Sequence, residues 1–252
     1  MSLHILFNFF IIILSVDLVL SAESKYEACK PKNCGTGPNI SYPFYIRKNH
    51  TDYCGHPGFN VLCENRKPIY KTSRAHYIIQ NINYENQSFR LIDTEILDST
   101  CPTPSKNYTF DRSSVDFSPY HADIFFFYNC NTSISANYKE SGIPCNGKSK
   151  NETFIALVPR DEPLNWNLKA CESIVAAPVQ LEQENINQTI VHVDYKKLLK
   201  NGFTLKWIGL GYSCGECQRS GGHCGFEEGN SVCYCPDGSH PKHCNDGKAF
   251  LC

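Results

Sequence analysis

The sequence predicts a mainly β protein, built of small, disulfide-rich antiparallel modules with a short helix and a Cys-rich tail. Three observations support this fold class. Aromatic and β-branched residues occur in short runs between polar, Gly or Pro positions. The chain of 252 residues contains 15 cysteines. A hydrophobic leader precedes them, which places those cysteines in an oxidising compartment.

The leader spans residues 1–22 and is predicted to be a secretory signal peptide. A hydrophobic run from Ile5 to Val16 is followed by the small residues Ser21 and Ala22, and cleavage is expected near Ala22. The run is short for a membrane span, which needs about 20 residues. An uncleaved signal anchor is the alternative. The mature chain is therefore expected to be secreted.

Nine segments have the composition of short strands. They are 42–46, 59–63, 76–82, 88–92, 124–130, 153–158, 173–179, 189–193 and 203–207. A single helix stands out at 195–200, because Asp194 can cap its start and Asn201-Gly202 can end it in a left-handed turn.

The cysteines are predicted to form disulfides. Fourteen are expected to pair: Cys29, Cys34, Cys54, Cys63, Cys101, Cys130, Cys145, Cys171, Cys214, Cys217, Cys224, Cys233, Cys235 and Cys244. Cys252 is the first candidate for the odd one. Within the second half we expect the pairs Cys101–Cys130 and Cys145–Cys171, and pairing of Cys214 to Cys244 among themselves.

Asn-x-Ser/Thr sequons support the secretory route. They occur at Asn39, Asn49, Asn86, Asn107, Asn131, Asn151 and Asn187, and none follows residue 190. The chain thus divides into a glycosylated body and a tail that is dense in cysteines.

No catalytic or metal-binding motif is evident. The tail spacing C-x2-C-x6-C-x8-C also fits a zinc site, but disulfides are favoured in a secreted chain. The histidines form no HExxH motif, and no kinase motif of the VAIK, HRD or DFG type occurs. No cofactor, metal or catalytic residue is predicted, and the chain is not expected to be an enzyme. A hydrolase using two distant carboxylates is the weakest alternative.

The N-terminal part resembles the galacturonan-binding module of plant wall-associated receptor kinases. The matching motifs are Cys34-Gly35, Ile40-Ser41-Tyr42-Pro43-Phe44, Cys54-Gly55, Pro57-Gly58-Phe59 and Leu62-Cys63. The resemblance covers about residues 29–97 and implies a module at 23–97.

The remainder resembles the C-terminal module of the same receptors. Its motifs are Gly202-Phe203, Trp207, Cys214-x2-Cys217, Ser220-Gly221-Gly222-x-Cys224-Gly225 and Cys233-x-Cys235-Pro-Asp237-Gly238. We assign this module to 98–252, with a tail at 208–252 whose cysteine rhythm is loosely EGF-like. The pattern is most similar to ectodomains of leaf-rust-resistance-type receptor-like kinases, without a transmembrane or kinase part.

The resemblance implies binding of acidic cell-wall polysaccharide, such as pectin or galacturonan, outside the cell. Residues 23–97 contain ten Lys or Arg and seven Asp or Glu, a net charge of +3, which would attract an anionic polymer. The candidate ligand contacts are Arg47, Lys48, Tyr42, Tyr45, Tyr53 and Lys32. The alternative is a ligand-sensing or decoy ectodomain with a peptide or receptor partner. The near-neutral chain gives no indication of nucleic-acid binding, and if it is a fragment of a longer receptor it would be membrane-anchored.

Overall fold

The computed structural model describes residues 24–48, 51–110, 113–130, 140–141, 152–159, 171–182, 194–210 and 214–244. The helices are α1 (Lys25–Ala28), α2 (Thr94–Leu97), α3 (Tyr195–Asn201) and α4 (Gly215–Arg219), with a 3-10 turn at Asp52–Cys54. The strands are β1 (Tyr45–Ile46), β2 (Asn60–Glu64), β3 (Lys67–Lys71), β4 (His76–Asn83), β5 (Ser88–Asp93), β6 (Val115–Phe117), β7 (His121–Cys130), β8 (Glu140–Ser141), β9 (Glu152–Pro159), β10 (Cys171–Gln180), β11 (Phe203–Trp207), β12 (His223–Glu227), β13 (Asn230–Cys235) and β14 (Gly238–His240). This mainly antiparallel β architecture confirms the predicted fold class.

The chain forms two compact units. Of the described residues, unit 1 collects those up to Lys32, those of 40–60 and the tail from 214 onward. Unit 2 collects Asn33–Asn39 and the described residues of 61–210. Both units are discontinuous in sequence, because the N-terminal segments of unit 1 share a core with the tail. The module boundary at residue 97 stays a prediction.

Unit 2 contains two antiparallel sheets. In the first, strands β2, β3, β4, β5, β11 and β6 lie in this order, so β11 inserts between strands that are consecutive in sequence. Phe203 of β11 pairs with Leu91 of β5, and Leu205 pairs with Phe117 of β6. The second sheet has the order β10-β7-β9-β8. Phe126 and Phe127 of β7 are both buried, so this sheet is covered on both faces.

Helix α3 matches the local signals that predicted it. The carboxylate of Asp194 accepts hydrogen bonds from the backbone N–H groups of Lys196 and Lys197, and Gly202 ends the helix at a φ of 70°. Leu199 is buried with Phe126 and Val179 in the same apolar cluster, which anchors the helix in unit 2.

The tail of unit 1 is a three-stranded sheet of β12, β13 and β14. Its disulfides are Cys214–Cys224, Cys217–Cys233 and Cys235–Cys244. In order of the six cysteines, the first pairs with the third, the second with the fourth and the fifth with the sixth. The tail therefore has an EGF-like arrangement, stabilised by buried sulfur where a short chain offers little apolar surface.

Two predicted pairings are wrong. Cys130 is bonded to Cys171, because β7 and β10 pair antiparallel and place these two residues opposite each other. The expected pairs Cys101–Cys130 and Cys145–Cys171 do not form. Cys101 is disulfide-bonded. The remaining described bridges, Cys29–Cys54 and Cys34–Cys63, lie within unit 1 and unit 2 respectively. Cys145 and Cys252 lie outside the described residues.

Several strand boundaries differ from the prediction. At 42–46 only Tyr45 and Ile46 are extended, and Tyr42 and Pro43 form a turn joined by a cis peptide bond. Six strands lie outside the predicted segments, namely β3, β6, β8, β12, β13 and β14. The predicted strand at 189–193 lies outside the described residues. Within the described ranges, no helix is long and apolar enough to cross a membrane.

Candidate functional site

The candidate ligand contacts lie on N-terminal segments whose core is completed by the tail. The Tyr42 hydroxyl lies 2.8 Å from Ser231 Oγ, within hydrogen-bonding distance. The ring of Tyr53 packs edge-on against Tyr234, with centroids 5.7 Å apart. His56 contacts Phe226 in the same way at 4.6 Å. The tail therefore supplies part of the hydrophobic core of the segment that carries the predicted site.

Tyr42 is not available to a ligand. It is 5% exposed, and burial raises the pKa of its hydroxyl, with the contact to Ser231 opposing the rise. A buried ring offers no flat face to a sugar, so the expectation for Tyr42 does not hold. The tyrosine acts as a core residue that joins the N-terminal segment to the tail.

Tyr45, Arg47 and Lys48 form the exposed end of the site. The half-exposed Tyr45 ring covers Gly55, where a Cβ atom would lie 2.4 Å from Tyr45 Cδ1. Only glycine allows this approach, which accounts for the Gly of the Cys54-Gly55 motif. Burial raises the pKa of Tyr45; Asp52 adds to the rise, and the charge of Arg47 opposes it. The positive charge of Arg47 therefore lies close enough to the Tyr45 hydroxyl to influence its pKa.

Arg47 and Lys48 are both exposed. None of the ion pairs among the described residues includes either side chain. The two exposed cations can donate hydrogen bonds to carboxylate groups. The half-exposed Tyr45 ring beside them can present a flat face to the apolar surface of a sugar.

Tyr53 and Lys32 lie elsewhere on unit 1. Lys25 Nζ lies 5.5 Å from the Tyr53 ring centroid and 5.7 Å from that of Tyr234, and it forms an ion pair with Glu227. Tyr53 thus packs where α1 contacts the tail. The backbone of Lys32 exchanges two hydrogen bonds with Ile40, of 3.0 and 2.7 Å, and its side chain is half-exposed.

Sequence reasoning missed a second group of aromatic and charged residues on unit 1. Tyr26 stacks on His223 at 4.6 Å, and Lys30 Nζ lies 5.6 Å from the Tyr26 centroid. Lys30 also forms an ion pair of 2.6 Å with Glu27. Burial lowers the pKa of His223, the charge of Lys30 lowers it further, and Glu27 opposes both. No local signal could have revealed this group, because its members come from opposite ends of the chain.

In the part of the chain that the structure describes, the metal candidate with a histidine and the best-formed cavity do not offer another site. The side chains of Cys235, Asp237 and His240 lie within reach of one ion, but Cys235 is bonded to Cys244 and cannot act as a thiolate ligand. In unit 2, a cavity of about 20 Å³ is bordered by Tyr77, Asp93 and Tyr108. That volume holds about one water molecule and is far too small for a sugar ring.

Three predicted glycosylation sites lie within the described residues. Asn39, Asn86 and Asn107 are all exposed. The other four, Asn49, Asn131, Asn151 and Asn187, lie outside the described ranges.

Two family models match the chain. Residues 29–93 match the wall-associated receptor kinase galacturonan-binding family, and residues 122–238 match the wall-associated receptor kinase C-terminal family. Each matched stretch contributes segments to both compact units. No solved structure matches the chain.

Curated relatives come from Arabidopsis thaliana. The leaf rust 10 disease-resistance locus receptor-like protein kinase-like 1.2 is 32% identical over 95% of this chain and 37% of its own length. The kinase-like 2.1 protein is 29% identical over 90% of this chain and 36% of its own length. A protein named as a RING-H2 finger protein, ATL21A, is 26% identical over 82% of this chain and 53% of its own length. The chain spans little more than a third of the two receptor-like kinases. The resemblance found in the sequence is confirmed: this chain carries the galacturonan-binding and C-terminal regions of the wall-associated receptor kinase type, in that order.

Proposed function

We propose that the chain is an extracellular ectodomain of receptor-like-kinase type that binds pectic polysaccharide through Tyr45, Arg47 and Lys48. The observation that carries this proposal is the match of residues 29–93 to a galacturonan-binding family. Its place of action is then the cell wall, and its role is binding rather than catalysis.

The chemistry of the exposed residues suits an acidic polymer. Galacturonan carries one carboxylate on each sugar ring, and Arg47 and Lys48 supply two exposed positive charges on consecutive residues. Exposed charge pairs are screened by salt, with a Debye length of about 8 Å at physiological ionic strength. Binding through this surface should therefore weaken as the salt concentration rises.

The test compares retention of the full secreted chain on polygalacturonate and on a neutral glucan. The full chain is needed because the tail completes the core around Tyr42 and Tyr53. The double variant Arg47→Gln/Lys48→Gln should bind polygalacturonate about fivefold more weakly, since each exposed pair contributes about 0.5 kcal/mol. Arg219→Gln/Lys242→Gln, which removes two exposed cations from the tail, is the matched control.

Equal retention on both polymers would count against polysaccharide recognition. In that case, a ligand-sensing ectodomain with a peptide or receptor partner becomes the better interpretation. Selective retention that is lost equally in both double variants would place the sugar-binding surface elsewhere on the chain.

A further inference from the structure

The disulfide Cys34–Cys63 differs from the other described bridges in its exposure. Cys63 is exposed and Cys34 is half-exposed. In each of the other five described pairs at least one cysteine is buried, and none has an exposed member. An external thiol must reach a sulfur atom in line with the bond that breaks, so access selects this bridge for exchange.

The surroundings of this bridge are positively charged. Strand β2 ends at Glu64, and a tight turn at Asn65 and Arg66, both with positive φ, leads into Lys67. Glu64, which follows Cys63 in the sequence, has its carboxylate paired with Lys71 at 2.9 Å. Arg66 and Lys67 follow Cys63 closely in the sequence, and both are exposed. A cationic, accessible environment stabilises thiolates and promotes their exchange.

Arg66 lies directly on the loop that carries Cys34. A Cβ atom at Gly35 would lie 3.0 Å from Arg66 Nε, and Arg66 Nη2 lies 3.4 Å from the Gly35 carbonyl oxygen. The backbone carbonyl of Arg66 accepts bonds of 2.9 and 2.7 Å from Thr36 N and Oγ1. The guanidinium group is therefore held against Gly35, the residue that directly follows Cys34.

We propose that Cys34–Cys63 is a site of thiol–disulfide exchange with external thiols. An external thiolate attacks Cys63 Sγ, forming a mixed disulfide and releasing Cys34 as a thiolate on the loop that Arg66 contacts. A second external thiolate attacks the external sulfur of the mixed disulfide and releases Cys63. The two external thiols are oxidised to one disulfide, the protein bridge gains two electrons, and both cysteine sulfurs take protons from solvent.

Reduction of this bridge loosens the attachment of segment 33–39 and leaves the rest of the fold in place. Segment 33–39 stays attached to the β2–β3 turn through the two bonds from Thr36. It is also held by Tyr84, which follows β4 and whose hydroxyl donates to the Asn39 carbonyl at 2.9 Å. Reduction should raise amide hydrogen exchange in this segment and leave the second sheet of unit 2 unchanged.

In the experiment, the full oxidised chain is exposed to limiting thiol, and the cysteines that become free are labelled with an alkylating reagent. The remaining disulfides are then reduced and labelled with an isotopic form of the same reagent, so that mass spectrometry separates the two groups. One arm uses glutathione and the other a reduced Cys-x-x-Cys oxidoreductase. Cys34 and Cys63 should be labelled first in both arms, at least about tenfold faster than Cys217 and Cys233, which are both buried. Labelling in the oxidoreductase arm alone would restrict the partner to a protein dithiol. Labelling no faster than the buried pair in either arm would overturn the proposal.

Charge variants test the part assigned to Arg66. Arg66→Gln should slow labelling of Cys34 and Cys63 on the order of threefold, since a leaving thiol of higher pKa leaves more slowly. Arg66→Lys should restore the rate. Arg74→Gln, which removes an exposed cation from another turn of unit 2, should have no effect. Equal rates in the Gln and Lys variants would exclude an electrostatic role for Arg66.

Discussion

Substitution of Gly225 by Ala tests whether the N-terminal segment and the tail form one folding unit. Gly225 lies on β12, and a Cβ atom there would lie 2.2 Å from Tyr234 Cε2 and 2.4 Å from the backbone oxygen of Tyr53. Ordinary contacts between such atoms exceed about 3.4 Å, so the Tyr234 ring or the Tyr53 backbone must move by about 1 Å. Overpacking of this kind costs about 1–3 kcal/mol.

The measurement is chemical unfolding with the disulfides intact, combined with amide hydrogen exchange. Gly225→Ala should lower the free energy of unfolding and raise exchange at Tyr53 and Cys54, far away in the sequence. Gly229→Ala is the matched control, because a Cβ atom there meets nothing within 4 Å, although its φ of +84° disfavours alanine. The control should lose about 1 kcal/mol and leave exchange at 51–55 unchanged. Unchanged exchange there in Gly225→Ala would refute the shared core.

Two further predictions concern unit 2. Burial is the main cause that raises the pKa of Asp93 above its ordinary value, so the folded chain holds this proton more tightly than the unfolded chain; the free energy of unfolding should fall as pH rises through the interval that begins near pH 4. Asp93→Asn keeps the cap on the N–H of Glu95 and should flatten that fall in urea titrations from pH 3.5 to 6; parallel pH profiles for the two proteins would contradict the assignment. Asp194→Ala removes the cap of α3 and should cost about 1 kcal/mol, whereas Asp194→Asn should cost little; equal thermal unfolding of all three proteins would show that the cap is unimportant.

Elements with local signals could be predicted from the sequence. Helix α3 follows from Asp194 at its start and Gly202 at its end, and β11 follows from its alternating apolar residues. Strand β3 was missed because Pro68 argues against a strand. The structure accommodates this proline because β4 pairs with β3 only from Ile69 onward, which leaves Pro68 paired on one side.

Features made by residues distant in sequence could not be predicted. The Cys130–Cys171 bridge depends on the register of β7 and β10, and cysteine order alone does not fix that register. The aromatic character of Tyr42 suggested a ligand contact, but its burial depends on Ser231 and the tail. Arg47 and Lys48 could be identified as exposed because they follow the last buried residue of β1.

The tail also sets how much positive charge unit 1 presents. The described N-terminal segments of unit 1 contain five Lys or Arg and two Asp or Glu, whereas the described tail contains two and four. One of these acids, Glu227, is paired with Lys25. If pectic polymers bind unit 1, as proposed, Glu227→Gln should free Lys25 and strengthen retention on polygalacturonate about twofold at low salt, with the gain lost at high salt. The amide can still accept a hydrogen bond from Tyr234, a neighbour of Glu227, and Glu228→Gln is the control for charge without this pairing. An equal gain in both variants would indicate that net charge alone, rather than release of Lys25, controls binding.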